Sequence, residues 1–110
     1  MIDSICIIIT KPQGEEKALL GVLTSWASMI STLDVRILCL EEGVYNLVRC
    51  ASYSTCLIKD FLKERGRVYC LKNDIHEKEI NQGMLLEGVH LLEETEVSQL
   101  IDSCQSTAIF

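Results

Sequence analysis

Proline occurs once, aromatic residues fill only 5% of the 110 positions, and the six glycines never cluster. With so little proline and no low-complexity tract or internal repeat, the chain has no recognisable linker, and a length of 110 residues suffices for one core only. Residues 1–110 are therefore expected to form a single domain. Apolar runs are only a few residues long, which excludes a spanning helix. Met1 to Ser4 has no basic region and leads into an apolar run that ends at Lys11-Pro12, too short and wrongly flanked for a secretory leader. A cytoplasmic setting is expected. A phosphate-cradling loop is also missing, because Lys11-Pro12-Gln13-Gly14 has one glycine where nucleotide loops use several.

Cations are scarce, 10 against 16 acidic residues, for a net charge of -6. An acidic domain of this kind is a poor nonspecific binder of nucleic acid, so direct RNA or DNA binding is not expected. The charge is uneven: Arg49 to Lys72 holds six cations and two anions, whereas Asn73 to Phe110 holds one cation and eight anions. These read as solvated faces, complementary across a subunit contact. The six cysteines lie inside apolar, periodic segments rather than in a loop-rich secreted framework, so reduced thiols are expected. Cys50 and Cys56 are the nearest pair and have five residues between them, which does not fit a zinc knuckle. No metal site is expected.

Almost half the chain, 48%, is hydrophobic. Asp3 to Thr10 is β-branched and nearly continuously apolar, the pattern of a strand covered on both faces. Glu15-Glu16 supplies negative charge at a helix start, and Leu19, Val22, Leu23, Trp26, Met29, Ile30 and Leu33 recur at three- and four-residue steps as its apolar face. Trp26 on that stripe reads as a core residue. Asp34 to Leu40 is a second buried strand, followed by a turn in which Gly43 is free to take a positive φ. Helices are predicted over Val44 to Ala51 and Tyr53 to Glu64, the second ended by Arg65-Gly66. After the strand within Gly66 to Asp74 come a short helix from Asp74 to about Asn81, a fourth strand Gly88 to Leu92, a helix Glu94 to Cys104 and a fifth strand Ser106 to Phe110. Strands alternating with helices imply right-handed crossovers and a mainly parallel five-stranded sheet in a three-layer α/β/α domain.

The segment Gly66 to Asp74, GRVYCLKND, draws chemical attention. Cys70 stands near the carboxyl end of its strand, where open parallel sheets form their ligand crevice. Lys72 follows as a cation, and Asn73 and Asp74 are residue types that cap a helix, so both a cation and a helix start are expected to favour the thiolate. His90, in the next strand, is a candidate proton acceptor over the same edge, and Glu42, Gly43 and Val44 are placed as a pocket rim. Cys6 and Cys39 sit mid-strand and read as core residues, whereas Cys50, Cys56 and Cys104 lie on predicted helices with no spacing that argues for a role.

Four pieces together resemble the DsrE/DsrF/DsrH-like sulfur-relay family, which includes the TusB, TusC and TusD subunits: Thr10-Lys11-Pro12, Leu38-Cys39-Leu40-Glu41-Glu42-Gly43-Val44, Val68-Tyr69-Cys70-Leu71-Lys72-Asn73-Asp74, and Ala108-Ile109-Phe110. The Glu-Gly-Val turn and the Val-Tyr-x-Leu-x-x-Asp segment look like the DsrH/TusB branch, while the longer first half and a strand-end cysteine look like DsrE/TusD. The resemblance implies that Cys70 accepts sulfane sulfur as a persulfide from a donor protein and passes it to an acceptor protein, on a path to tRNA thiolation or sulfur oxidation. It also implies a homo- or hetero-oligomer, a trimer or hexamer, and no metal or organic cofactor. Lys78-Glu79 stands where the DsrE branch has Arg-Gly, and DsrF- and DsrH-type subunits commonly lack the cysteine. Three readings are thus open: a sulfurtransferase-like carrier, a non-catalytic partner subunit of such a complex, and a small-ligand-binding flavodoxin-like module.

Overall fold

Ser4–Ile9 (SICIII) has no polar residue after its first, so it is stable only with both faces covered. The rest of the chain supplies that cover. The computed structural model describes residues 3–49 and 52–110. In chain order these form β1 (Ser4–Ile9), α1 (Glu16–Ile30), β2 (Asp34–Cys39), a 3-10 helix (Glu41–Leu47), α2 (Tyr53–Lys63), β3 (Arg67–Leu71), α3 (Lys72–Glu77), a short 3-10 turn (Gln82–Met84), β4 (His90–Leu92), α4 (Glu94–Ser103) and β5 (Ser106–Ile109). The sheet is parallel throughout and ordered β4-β3-β2-β1-β5. It is the expected three-layer α/β/α domain. Among the described residues no helix is long and apolar enough to cross a membrane.

Alternation along the strands sorts side chains into two clusters. Ile7, Ile9, Ile37, Cys39, Val68 and Cys70 lie in the larger, with Val22 of α1 and Ile58 and Phe61 of α2. Cys6, Ile8 and Leu38 lie in the smaller, closed by Leu100 of α4, with Tyr69, Leu92 and Cys104 at its margin. The second face is covered more thinly. Tyr69 and Leu92 on it are only half-buried, and Ile109 remains 71% exposed.

Helix α1 is rotated relative to the expected stripe. Ala18, Gly21, Val22 and Ser25 are its buried residues, while Leu23 and Ile30 are 43% and 75% exposed. Small residues let the helix approach the sheet closely, so the seam follows them rather than the largest side chains. Trp26 is half-buried between helices: its indole N–H donates to the Leu57 carbonyl at 3.1 Å and its ring meets Phe61 edge-on at 5.9 Å. The Ser52 hydroxyl caps α2 by accepting from the Thr55 N–H at 3.2 Å. At the other end the left-handed residue is Arg65, φ 66°, and not Gly66. Gly66 is required for space, because a Cβ there would stand 2.3 Å from the Phe61 ring.

Three further boundaries differ from expectation. The helix expected over Val44 to Ala51 is the 3-10 segment Glu41–Leu47, and residues 50 and 51 lie outside the described part. Helix α3 begins at Lys72, with Leu71 at its cap position, so Asn73 and Asp74 lie within its first turn rather than capping it. Strand β4 begins at His90, not at Gly88, whose φ of 98° is incompatible with an extended strand.

Candidate functional site

Strand β3 alternates, sending Val68 and Cys70 to the α1/α2 face and Tyr69 to the other. Cys70 is paired in register with Cys39 of β2 on one side and Leu91 of β4 on the other. It is completely buried. Burial pushes its thiol from 9.0 up to about 12, and the carboxylate of Asp74 adds to the rise. The neighbouring Cys39 is also fully buried and is pushed up further, by burial first and by Cys70 second. The sulfur at this strand end is therefore held as a thiol, the opposite direction from that expected of a thiol beside a cation and a helix start.

The structure separates the candidates grouped around it. The Lys72 ammonium faces solvent and sits 3.7 Å from the Glu93 carboxylate, an exposed pair of little energetic weight. Asn73 donates its amide N–H to Glu77 at 3.1 Å on the surface of α3. His90 is the first residue of β4, opposite Tyr69, and its ring stacks on that tyrosine at 5.3 Å. It therefore lies on the other face of the sheet from Cys70, not over the same edge. Only Asp74, of the four supporting residues, acts on the thiol.

Asp74 also ties the rim down. Its Oδ2 accepts the Glu41 backbone N–H at 2.7 Å, holding together α3 and the start of the 3-10 segment. Glu41, not Gly43, adopts the positive φ in this turn, at 53°. Gly43 serves another purpose: a Cβ there would lie 1.9 Å from the carbonyl oxygen of Ile9, so only glycine lets the rim pass over the end of β1. Val44 is buried in the core and Glu42 is exposed.

Asn46 is the organising residue that sequence reasoning missed. Its amide donates to the Lys11 carbonyl at 2.7 Å and the Gly43 carbonyl at 2.9 Å, and its oxygen accepts from the Ser54 hydroxyl at 3.0 Å. One fully buried side chain thus joins the loop after β1, the rim and the first turn of α2. The signal available was an amide inside the apolar run Val44-Tyr45-Asn46-Leu47-Val48, since a buried amide needs several partners.

Two surface clefts lie beside α2, one at each of its ends. One, of about 450 Å³, is lined by Arg49, Lys59, Lys63 and Glu87 with Leu62 and Leu86; the other, of about 340 Å³, lies between Gly14–Glu16 and Ser52–Ser54. Neither has Cys70 in its wall. Among the described residues no three His, Cys, Asp or Glu side chains gather as a metal set.

With this geometry in place, the fold can be compared with solved structures. The crystal structure of the ychN protein from E. coli superposes with a TM-score of 0.83 at 18% identity, covering 100% of both chains. The likeness is one of fold. The structure of the protein of unknown function MTH1491 from Methanobacterium thermoautotrophicum superposes with a TM-score of 0.75 at 15% identity, over 96% of this chain and 98% of that one. No family model and no curated protein sequence matches the chain.

Proposed function

We propose that this chain is a partner subunit of a sulfur-relay assembly in which Cys70 is a core thiol and the working surface is an interface. The single observation that carries the reading is the state of that cysteine: complete burial, with its proton retained up to about pH 12. A sulfur carrier must be attacked at, and attack through, an accessible thiolate. The fold likeness to ychN and the sequence resemblance to the sulfur-relay subunits support the assembly; the buried thiol supports the non-catalytic place within it.

The test combines two measurements on the purified chain. Incubated with a persulfide donor and read by peptide mass spectrometry, Cys70 is expected to gain no sulfur, while sedimentation velocity shows a stable oligomer at micromolar concentration. Sulfur loading that disappears in Cys70→Ser overturns the reading, and a monomer counts against the assembly.

A second reading keeps Cys70 as the persulfide carrier. It is favoured by one specific observation: the residue directly precedes Leu71 and helix α3 at the carboxyl edge of the sheet. On that reading the rim held by Asp74 must open before sulfur is taken up, and loading at Cys70 is the decisive result.

A further inference from the structure

The thinly covered face of the sheet holds a second thiol group, unrelated to Cys70. Cys6 on β1 and Arg36 on β2 are register partners, and side chains at paired positions on parallel strands project to the same face. Arg36 reaches α4, where its Nη1 donates to the Ser103 hydroxyl at 2.9 Å, while its Nη2 pairs with Asp34 at 3.1 Å. Ser103 immediately precedes Cys104 at the end of that helix, and Cys104 packs against the cluster containing Cys6. Cys104 stands near enough to Cys6 to add to the rise that burial imposes on its thiol. Two cysteines distant in sequence thus share one cluster beside one guanidinium, whose Nε–H is buried and makes no hydrogen bond.

We propose that Cys104 and Cys6 form a reactive dithiol that reduces a hydroperoxide, Cys104 as the attacking sulfur and Cys6 as the resolving one. The assignment follows access. Cys104 is partly exposed at a helix end, whereas Cys6 is completely buried. Burial first, and the neighbouring Cys104 second, push the Cys6 thiol up to about 12.

In the first step the Cys104 thiolate attacks one peroxide oxygen; the O–O bond breaks, a sulfenic acid forms, and the other oxygen leaves as an alcohol or water after taking up a proton. In the second, the Cys6 sulfur attacks the Cys104 sulfur; the S–S bond forms, the S–O bond breaks, and hydroxide leaves with the Cys6 proton as water. Two thiols lose two electrons and the peroxide gains them. Both sulfurs belong to one chain, and the product links the end of α4 to β1. Nothing in this chemistry depends on Cys70.

The test uses the native chain treated with hydrogen peroxide and digested without reductant. The expected product is an intramolecular Cys6–Cys104 disulfide, with Cys104 consumed at least about tenfold faster than the exposed Cys56. In Cys6→Ala the expected product is a Cys104 sulfenic acid captured by dimedone, and in Cys104→Ser no disulfide forms at Cys6. If Cys6→Ala does not fold, the wild-type rates decide. Oxidation of Cys56 at the same rate as Cys104, or a disulfide that joins either sulfur to a different cysteine, overturns the proposal. Repeating the wild-type experiment in Cys70→Ser separates it from the reading of Cys70, since the disulfide is expected to form unchanged.

Discussion

Replacing Asp74 by asparagine and by alanine asks whether burial or charge silences Cys70. The thiol rises from 9.0 to about 12, so at neutral pH its thiolate fraction is lower than that of an ordinary cysteine by roughly a thousandfold. Burial is the larger cause and Asp74 the smaller. Less than half of the rise therefore belongs to the carboxylate, and Asp74→Asn, which removes the charge but keeps an oxygen for the Glu41 N–H, restores less than about thirtyfold. Asp74→Ala removes charge and acceptor together. It leaves the Glu41 N–H without its partner, costs about 1–3 kcal/mol of stability, and frees the rim from α3. Alkylation of Cys70 by iodoacetamide, followed per cysteine by peptide mass spectrometry with the exposed Cys56 as internal reference, should rise modestly in the asparagine variant and further in the alanine variant. If Asp74→Asn alone brings Cys70 to the rate of Cys56, burial is not the dominant cause. Equal rates in the two variants would refute the role given to the rim.

Asn46→Ala should lower the unfolding free energy by about 2–5 kcal/mol, because it orphans two carbonyls and a hydroxyl that the buried amide satisfies; a denaturant midpoint within error of wild type would refute the network. The buried thiols also set an alkaline limit. Cys6 and Cys70 are raised from 9.0 to about 12, and Cys39 is raised as well, so the stability they contribute is fully present below about pH 9 and lost as pH climbs towards 12. Cys70→Val should lose less stability than wild type between pH 8 and pH 10.5 in matched denaturant titrations, and parallel losses would count against the assignment.

The layers of this domain were legible because each strand carries its burial in its own residues: Cys-Ile-Ile-Ile in β1 and Ile-Leu-Cys in β2 admit no solvent face. Helix phase was less so. In α1 the periodicity of large residues pointed to Leu23 and Ile30, but close approach through Ala18, Gly21 and Ser25 turned those two outward, an outcome set by the sheet beneath rather than by the helix. The site suffered from the same kind of non-local control. That Cys70 stands near the end of a strand could be read directly; that a turn 33 residues earlier is tied down by Asp74 could not, since the bond uses a backbone N–H and leaves no residue signature. His90 was placed in the correct strand, but a start at residue 90 rather than 88 sets it opposite Tyr69 instead of at the far end. Arg36 and Cys104 meet only because β5 returns beside β1, which no local pattern announces.

That return carries a consequence for synthesis. Strand β5 is made after β1 to β4, yet it pairs with β1, and α4, which precedes it, is the helix that covers Cys6, Ile8 and Leu38. As the chain leaves the ribosome, β1 therefore waits as an open sheet edge with one bare apolar face until α4 and β5 arrive. A ribosome stalled before Glu94 would display that edge and face together, and such nascent chains are the ones a chaperone should hold longest.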